Sequence, residues 1–356
     1  MNPTAEEKKK LIVAWCLYDW ANSCFSAVIL TFVFSAYFTQ SIAPSALVGT
    51  AYWSVAITIA GIVIAMLSPF VGCWLTQIQQ KKSILISLTM VCILATGLLF
   101  FSKPSISWLW YALVLVVIAE IFYELALIVY NSLLLLITTK THYGRISGWG
   151  WGAGYIGGLL VLALCLFVIK SGWLSAVASF DVRLSTLICA VWFFVFSLPL
   201  FLVLPSRLSE NDHQSHSFQA YFKVLRKTFS EIVQRKKLFW LMLTRLFVMD
   251  GLNTLFAFGG IVAAGTFGFS MTEVLLFAIL LNFTAGVGAF VFGWIDDFLS
   301  PLFVIIGSLV SLVILLIVVM FTYNTLIFWL IGAAIGFFVG PVQSSIRSFL
   351  AHQIMD

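Results

Sequence analysis

Charge is what this chain has least of: Asp, Glu, Lys and Arg together supply 9% of its 356 residues, while 62% are hydrophobic. Soluble globular domains carry about 25% charged residues, so water is excluded as the main solvent of this fold. Thiol chemistry is lacking as well. The six cysteines, Cys16, Cys24, Cys73, Cys92, Cys165 and Cys189, include no C-x-x-C pair and all fall inside apolar blocks, where they read as small buried hydrophobes. No G-x-x-x-x-G-K-[ST] occurs, so nothing supports direct drive by ATP, and no cofactor is expected. The short loops supply no cluster of nucleophile, histidine and metal-binding carboxylate, which argues against an enzyme. His213 and His216 lie in Glu210-Asn-Asp212-His213-Gln-Ser-His216, a solvated polar stretch rather than a metal site. The net charge of +5 is scattered through loops, so it reflects membrane orientation and not nucleic-acid binding.

What is present is hydrocarbon in blocks of about 20 residues, enough to cross about 30 Å of bilayer at about 1.5 Å rise per residue. Lipid offers the backbone no hydrogen-bond partners, so each block is a helix and the fold class is all-α and polytopic. Ten spans are expected, near 11–37, 50–75, 83–102, 107–136, 148–169, 184–204, 238–265, 271–293, 302–322 and 325–345. The first keeps Asp19 and Asn22 and lacks a small-residue cleavage site, so it is a span and not a cleaved signal. With the N-terminus inside, cytoplasmic segments collect Lys8, Lys9, Lys10, Lys81, Lys82, Lys140, Arg145, Arg207 and Arg347 together with the bases of 223–237. Outer loops then hold only Lys103, Lys170 and Arg183. That asymmetry sets the orientation and, with an even span count, returns the C-terminus to the cytoplasm. Trp53, Trp108, Trp110, Trp173 and Trp240 sit at block ends as headgroup anchors.

One long polar stretch, 205–237, separates a six-span bundle over 1–204 from a four-span bundle over 238–356. Within it Phe218, Tyr221, Phe222, Leu225, Phe229 and Ile232 recur at helical spacing between basic residues, a basic amphipathic helix on the inner membrane surface. The two bundles echo each other. Asp19-x-x-Asn22-Ser23 recurs as Asp250-x-x-Asn253-Thr254, and Gly72-x-x-x-Thr76 recurs as Gly293-x-x-x-Asp297. Asn131-Ser132 is answered more weakly by Gln343-Ser344. Three pairings in the same order argue for a duplicated half, as in major facilitator proteins, with the solute path between the halves.

At Trp15-Cys-Leu-Tyr18-Asp19-Trp20-Ala21-Asn22-Ser23 the sequence resembles the vacuole-effluxer-like family of the major facilitator superfamily, known from fungal autophagy-related and many bacterial proteins. Tyr130-Asn131-Ser132, Gly144-Arg145-Ile-Ser147-Gly148, Gly154-Tyr155-Ile-Gly157-Gly158, Asp250-Gly251 and Gly340-Pro-Val-Gln343-Ser-Ser-Ile-Arg347-Ser348 extend the likeness along the chain. The resemblance implies twelve spans, alternating access, and a cavity lined by the first and seventh spans. For fungal members it implies amino-acid efflux. Two departures stand out. The superfamily's G-x-x-x-D-R-x-G-R-R loop here continues from Gly72 with Thr76, Gln77, Gln79, Gln80, Lys81 and Lys82, so its acidic member survives only as Asp297 in the second bundle. The chain also ends at Asp356, with about ten of the twelve spans, which predicts weak transport by this polypeptide alone and unmet partners for Asn282 and Thr284.

An ionisable group in hydrocarbon costs about 2.5–3.5 kcal/mol or more, and this chain retains Asp19, Glu120, Glu124, Arg245 and Asp250. Asp19, Asn22 and Ser23 share one helix face, as do Asp250, Asn253 and Thr254. Either these stripes bind a proton or solute, with Asn131 nearby, or they lock helix packing; both readings stay open. Glu120 and Glu124 lie one turn apart, about 6 Å, and cannot both ionise cheaply, which makes them the leading proton-coupling candidates unless Arg245 neutralises one of them. Gly72, Thr76, Gly293, Asp297, Arg145 and Arg347 are the candidate gate and packing residues. Gly152-Ala-Gly154-Tyr-Ile-Gly157 matches G-x-G-x-x-G but follows no strand, so it, like Gly332, Gly336 and Gly340, reads as close helix packing. The expected function is a secondary active, proton-coupled transporter of a small solute such as an amino acid or related metabolite, in a bacterial inner membrane. A passive facilitator and a non-transporting remnant are the rivals.

Overall fold

The computed structural model describes residues 5–77, 80–171, 179–205, 226–227, 230 and 234–355. Among them α1 (Ala5–Cys24) passes into π-helical Phe25–Phe32, a four-residue α-helix Phe34–Tyr37 and π-helical Phe38–Ile42. There follow α2 (Ala46–Gln77), α3 (Lys81–Leu98), α4 (Leu109–Ile137), α5 (Tyr143–Ser171) and α6 (Phe180–Val203). After the linker come α7 (Lys236–Gly265), α8 (Met271–Phe298), α9 (Pro301–Met320) and α10 (Thr325–Met355). The ten long helices stand where the apolar blocks predict spans. Among the described residues nine helices are long and apolar enough to cross a membrane; α7, which carries Arg245 and Asp250, is not among those nine. The expected amphipathic face from Phe218 to Ile232 and the residues His213 and His216 lie outside the described residues.

The ends of the helices follow local chemistry. Ser270 caps α8 by accepting from Glu273 N while Glu273 Oε2 accepts from Ser270 N, a reciprocal capping box that satisfies two otherwise orphaned donors. Ser300 caps α9 by accepting from Phe303 N, and Pro301 occupies the first turn, where no amide donor is needed.

Two compact units emerge. The first comprises Met1–Ile137 and Gly157–Leu225, the second Thr138–Ile156 and Arg226–Asp356. The division therefore falls inside α5. In the first unit α1 packs on α6, α3 on α4 and α6, and α2 on α4. Its buried centre is aromatic: Trp15, Tyr18, Phe25, Phe34, Phe38, Tyr130 and Phe193 are all less than 2% exposed. Trp15 and Tyr130 stack at 4.6 Å, and Tyr18 stacks on Tyr130 at 4.8 Å. Because a bilayer provides no hydrophobic drive between helices, such contacts and interhelical hydrogen bonds carry the association. Trp15 Nε1 donates to the Tyr130 carbonyl at 3.3 Å and Tyr130 Oη donates to the Trp15 carbonyl at 3.0 Å. This reciprocal clasp holds α1 to α4.

In the second unit α8 and α9 both pack on α10. Small residues let the α8 and α10 backbones meet. A Cβ on Gly340 would strike the Ala285 carbonyl oxygen, one on Gly288 the Phe337 carbonyl oxygen, and one on Gly336 the Thr284 hydroxyl. The sequence expectation of close packing at Gly332, Gly336 and Gly340 is met here. Asn282 and Thr284 find partners on their own helix: Asn282 Nδ2 donates to Ala278 O at 2.8 Å and Thr284 Oγ1 to Leu280 O at 2.9 Å. This corrects the expectation that they need further spans, since a polar side chain four residues after a carbonyl can bond back to it. Cys24, Cys92, Cys165 and Cys189 are buried and unbridged.

Candidate functional site

The polar stripe of α1 forms as its spacing predicts. Asn22 Nδ2 donates to Asp19 Oδ1 at 3.3 Å, and Ser23 Oγ donates to the Asp19 carbonyl at 2.8 Å. Asp19 is 8% exposed and Asn22 is 4% exposed. Trp15 and Tyr18 precede the aspartate by one turn and one residue, so their stacking on Tyr130 fixes the stripe against α4. Tyr18 Oη shares a hydrogen bond with Thr89 Oγ1 of α3 at 2.7 Å. Behind the stripe, Gly157 of α5 meets α1 so closely that a Cβ would lie 3.0 Å from the Trp20 Cα.

Glu120 and Glu124 occupy the middle of α4, one turn apart, both half-buried. Tyr123, between them in sequence, lies within electrostatic reach of Asp19, Glu120 and Glu124. Glu120 Oε2 is buried without a hydrogen-bond partner among the described residues. An ionised oxygen in that position would forgo its solvation without compensation. Asn131 ends the same helix face in an exposed position.

The second stripe repeats the motif but not the surroundings. Asp250 and Thr254 are exposed on α7, where Asp19 is buried on α1. The side chain of Asn253 lies outside the described residues. Arg245 is exposed on the same helix.

The candidate gate residues of the second unit converge. Asp297 Oδ1 accepts from Gly144 N at 2.8 Å, in the first turn of α5, and its Oδ2 lies 3.4 Å from Arg145 Nε. A carboxylate there is favoured by the free amides and by the helix dipole as well as by the guanidinium. Arg145 also lies over the Trp294 ring at 4.2 Å. Arg347 of α10 donates Nε to Ser147 Oγ at 2.8 Å and Nη2 to the Ser147 carbonyl at 2.7 Å, while Ser147 Oγ donates to the Ser344 carbonyl at 2.7 Å. Tyr155 Oη donates to Gln343 Oε1. Gly293 is required by this geometry, because a Cβ would sit 3.0 Å from the Gly144 carbonyl oxygen and 3.2 Å from the Arg145 Cα. Gly148 and Gly152 back onto Ala289 and Gly286 in the same contact. Gly72, the equivalent in the first bundle, has open space where a Cβ would go, and the Thr76 side chain lies outside the described residues. The G-x-x-x-D motif therefore makes this contact at Gly293 and Asp297, the copy that keeps its acid.

Sequence reasoning passed over Asp296, which is 2% exposed and accepts from Ser348 Oγ at 3.1 Å. Its neighbour carries the motif, and adjacency to Asp297 gives no periodic signal of its own. The aromatic clasp around Tyr130 was likewise unread, although Trp15 and Tyr18 flank the stripe in sequence.

Comparison with known proteins agrees with this architecture. The family described as "Vacuole effluxer Atg22 like" matches residues 45–354. The MFS-type transporter YxiO of Bacillus subtilis (strain 168) is 26% identical over 344 residues, 95% of this chain and 79% of that protein. Autophagy-related protein 22-1 of Penicillium rubens is 25% identical over 165 residues, 44% of this chain and 27% of that protein. Among solved structures, the major facilitator proton:xylose symporter XylE superposes with a TM-score of 0.72 at 13% identity, covering 98% of this chain and 82% of its own. A bacterial homologue of the iron transporter ferroportin, in an outward-facing state, gives 0.67 at 13% identity over 98% and 84%. At such identities these two structures carry the fold alone.

Proposed function

The chain belongs to the vacuole effluxer Atg22-like family and is a multi-pass transporter of major facilitator fold, and from that premise we propose that it is a secondary active transporter coupling a small solute to protons by alternating access. The observation that carries the coupling is the carboxyl group of half-buried Glu120 in α4, whose Oε2 is buried without a partner among the described residues, with Glu124 one turn away. A proton accepted there changes the charge of the site, and so the cost of exposing it to either side. Asp19 and Asn22 supply a carboxylate and an amide that suit the ammonium and carboxylate ends of an amino acid or related metabolite. The Arg145–Asp297 and Arg347–Ser147 contacts act as the closure that forms and breaks during the cycle.

The excess of basic residues in the inner segments supports an orientation with both termini cytoplasmic, and the Bacillus relative favours a bacterial inner membrane, so cysteines introduced at Ser209 and Ser45 should label from opposite sides; labelling of Ser209 from outside would overturn that orientation. The functional experiment begins with a thermal-shift screen of the purified chain against amino acids and related metabolites at two pH values. The stabilising solute is then offered to proteoliposomes with and without a pH gradient. Accumulation only with the gradient is expected, and gradient-independent equilibration would make the protein a passive facilitator.

A further inference from the structure

We propose that Asp296 is a second protonation site, separate from Glu120 and Glu124, and that it holds a proton whenever α10 is docked on the first turn of α5. The two adjacent aspartates of α8 have opposite surroundings. Asp297 has what an anion needs: the Gly144 amide at 2.8 Å and the Arg145 guanidinium at 3.4 Å. Asp296 has neither. Its carboxyl group lies against the bare Cα of Gly144, where a Cβ would come within 2.5 Å of Asp296 Cβ, Cγ and Oδ1. It accepts from the Ser348 hydroxyl at 3.1 Å, and its Oδ2 is buried without a well-formed hydrogen bond among the described residues. Ser345, one turn before Ser348, is fully buried and turns its hydroxyl to the same carboxyl.

Charged and titratable groups flank it on three helices. On its own helix stands Asp297, a like charge one residue away. From α5 comes Arg145, engaged with Asp297, and before that helix His142, which bonds to Thr139 and Thr141. From α10 come Arg347, which donates to Ser147, and His352, whose ring packs on Tyr143. The ion pair among these described groups is that of Arg145 with Asp297, so an ionised Asp296 would be a second buried negative charge beside Asp297, with the Ser348 and Ser345 hydroxyls to solvate it. A proton removes that charge and converts the carboxyl into a donor that the Ser345 oxygen can receive. Undocking α10 exposes the same carboxyl to water, where it ionises. Docking therefore takes up one proton and undocking releases one, which shifts the docked population about tenfold per pH unit above the group's titration in the undocked form.

The inference concerns a protonation state in the resting protein, so it stands or falls independently of transport. Its test is infrared spectroscopy of the full purified chain at neutral pH, reading the carbonyl stretch of protonated carboxylic acids and its shift in heavy water. Asp296→Asn should remove the intensity of one protonated carboxyl group while leaving helix content unchanged, and Ser348→Ala should move that band without removing it. Loss of ionised-carboxylate intensity in Asp296→Asn, with the protonated band intact, would overturn the proposal. If Asp296→Asn fails to fold, Ser348→Ala alone decides: an unmoved protonated band sinks it.

Discussion

Replacing Glu120 or Glu124 by glutamine is expected to abolish pH-driven accumulation while leaving solute exchange measurable. Glutamine keeps the shape and hydrogen-bonding capacity of the side chain but cannot take up or release a proton. With one proton moved per solute, a gradient of one pH unit sustains about tenfold accumulation. Each variant should therefore fall from about tenfold to no accumulation, a loss of the whole thermodynamic coupling rather than of a rate. Exchange, which returns each carrier loaded, needs no net proton movement and should persist. The two variants need not be equal, because Glu120 holds the oxygen that is buried without a partner among the described residues. Normal accumulation by both variants would mean that these carboxyls are structural.

A second large effect is expected in the second unit. Gly340→Leu places a Cβ on the Ala285 carbonyl oxygen, which is backbone and cannot rotate away, so α8 and α10 must separate along a contact that also includes Gly288 and Gly336. Overpacking of this kind costs about 3 kcal/mol. Because the same helices present Asp297 and Arg347 to the start of α5, the damage should also loosen that contact. Gly307→Leu on α9 is the matched control: a Cβ there meets nothing, and replacing glycine in a helix gains up to about 1 kcal/mol. Thermal unfolding followed by intrinsic fluorescence should show a lower melting temperature for Gly340→Leu and an unchanged or higher one for Gly307→Leu. Equal melting temperatures would show that α8 and α10 do not rely on the close approach of their backbones.

These contrasts mark what sequence can and cannot convey. The helices were legible because lipid forces the backbone to satisfy itself, which turns hydropathy directly into secondary structure. The Asp19, Asn22, Ser23 stripe was legible because it is a local consequence of helical periodicity. The glycines of α10 were legible as packing because small residues four apart have few other uses in hydrocarbon. Long-range pairings were not. Nothing in the spacing of Trp15 and Tyr130 announces a clasp across 115 positions. The motif copies at Asp19 and Asp250 look alike in sequence, yet one is buried and the other exposed, because burial is decided by neighbouring helices and not by the motif. The π-helical turns of Phe25–Phe32 and Phe38–Ile42 escaped detection for a simpler reason: an apolar run has the same composition whether it winds with 3.6 residues per turn or more loosely. Asp296 was hidden beside Asp297, since two adjacent carboxyls differ only in what the fold brings to each.

Coupling between solute and proton is the central claim, and it is measured most directly by running the cycle backwards. Proteoliposomes containing the chain, with a pH-sensitive dye trapped inside and no initial pH gradient, are given a steep gradient of the solute identified by thermal shift. Solute moving down its gradient should drag protons and change the internal pH at a rate that saturates with solute, and Glu120→Gln should abolish the signal while labelled solute still exchanges. Solute flux equal to that of the parent with no change in internal pH in either protein would contradict proton coupling outright.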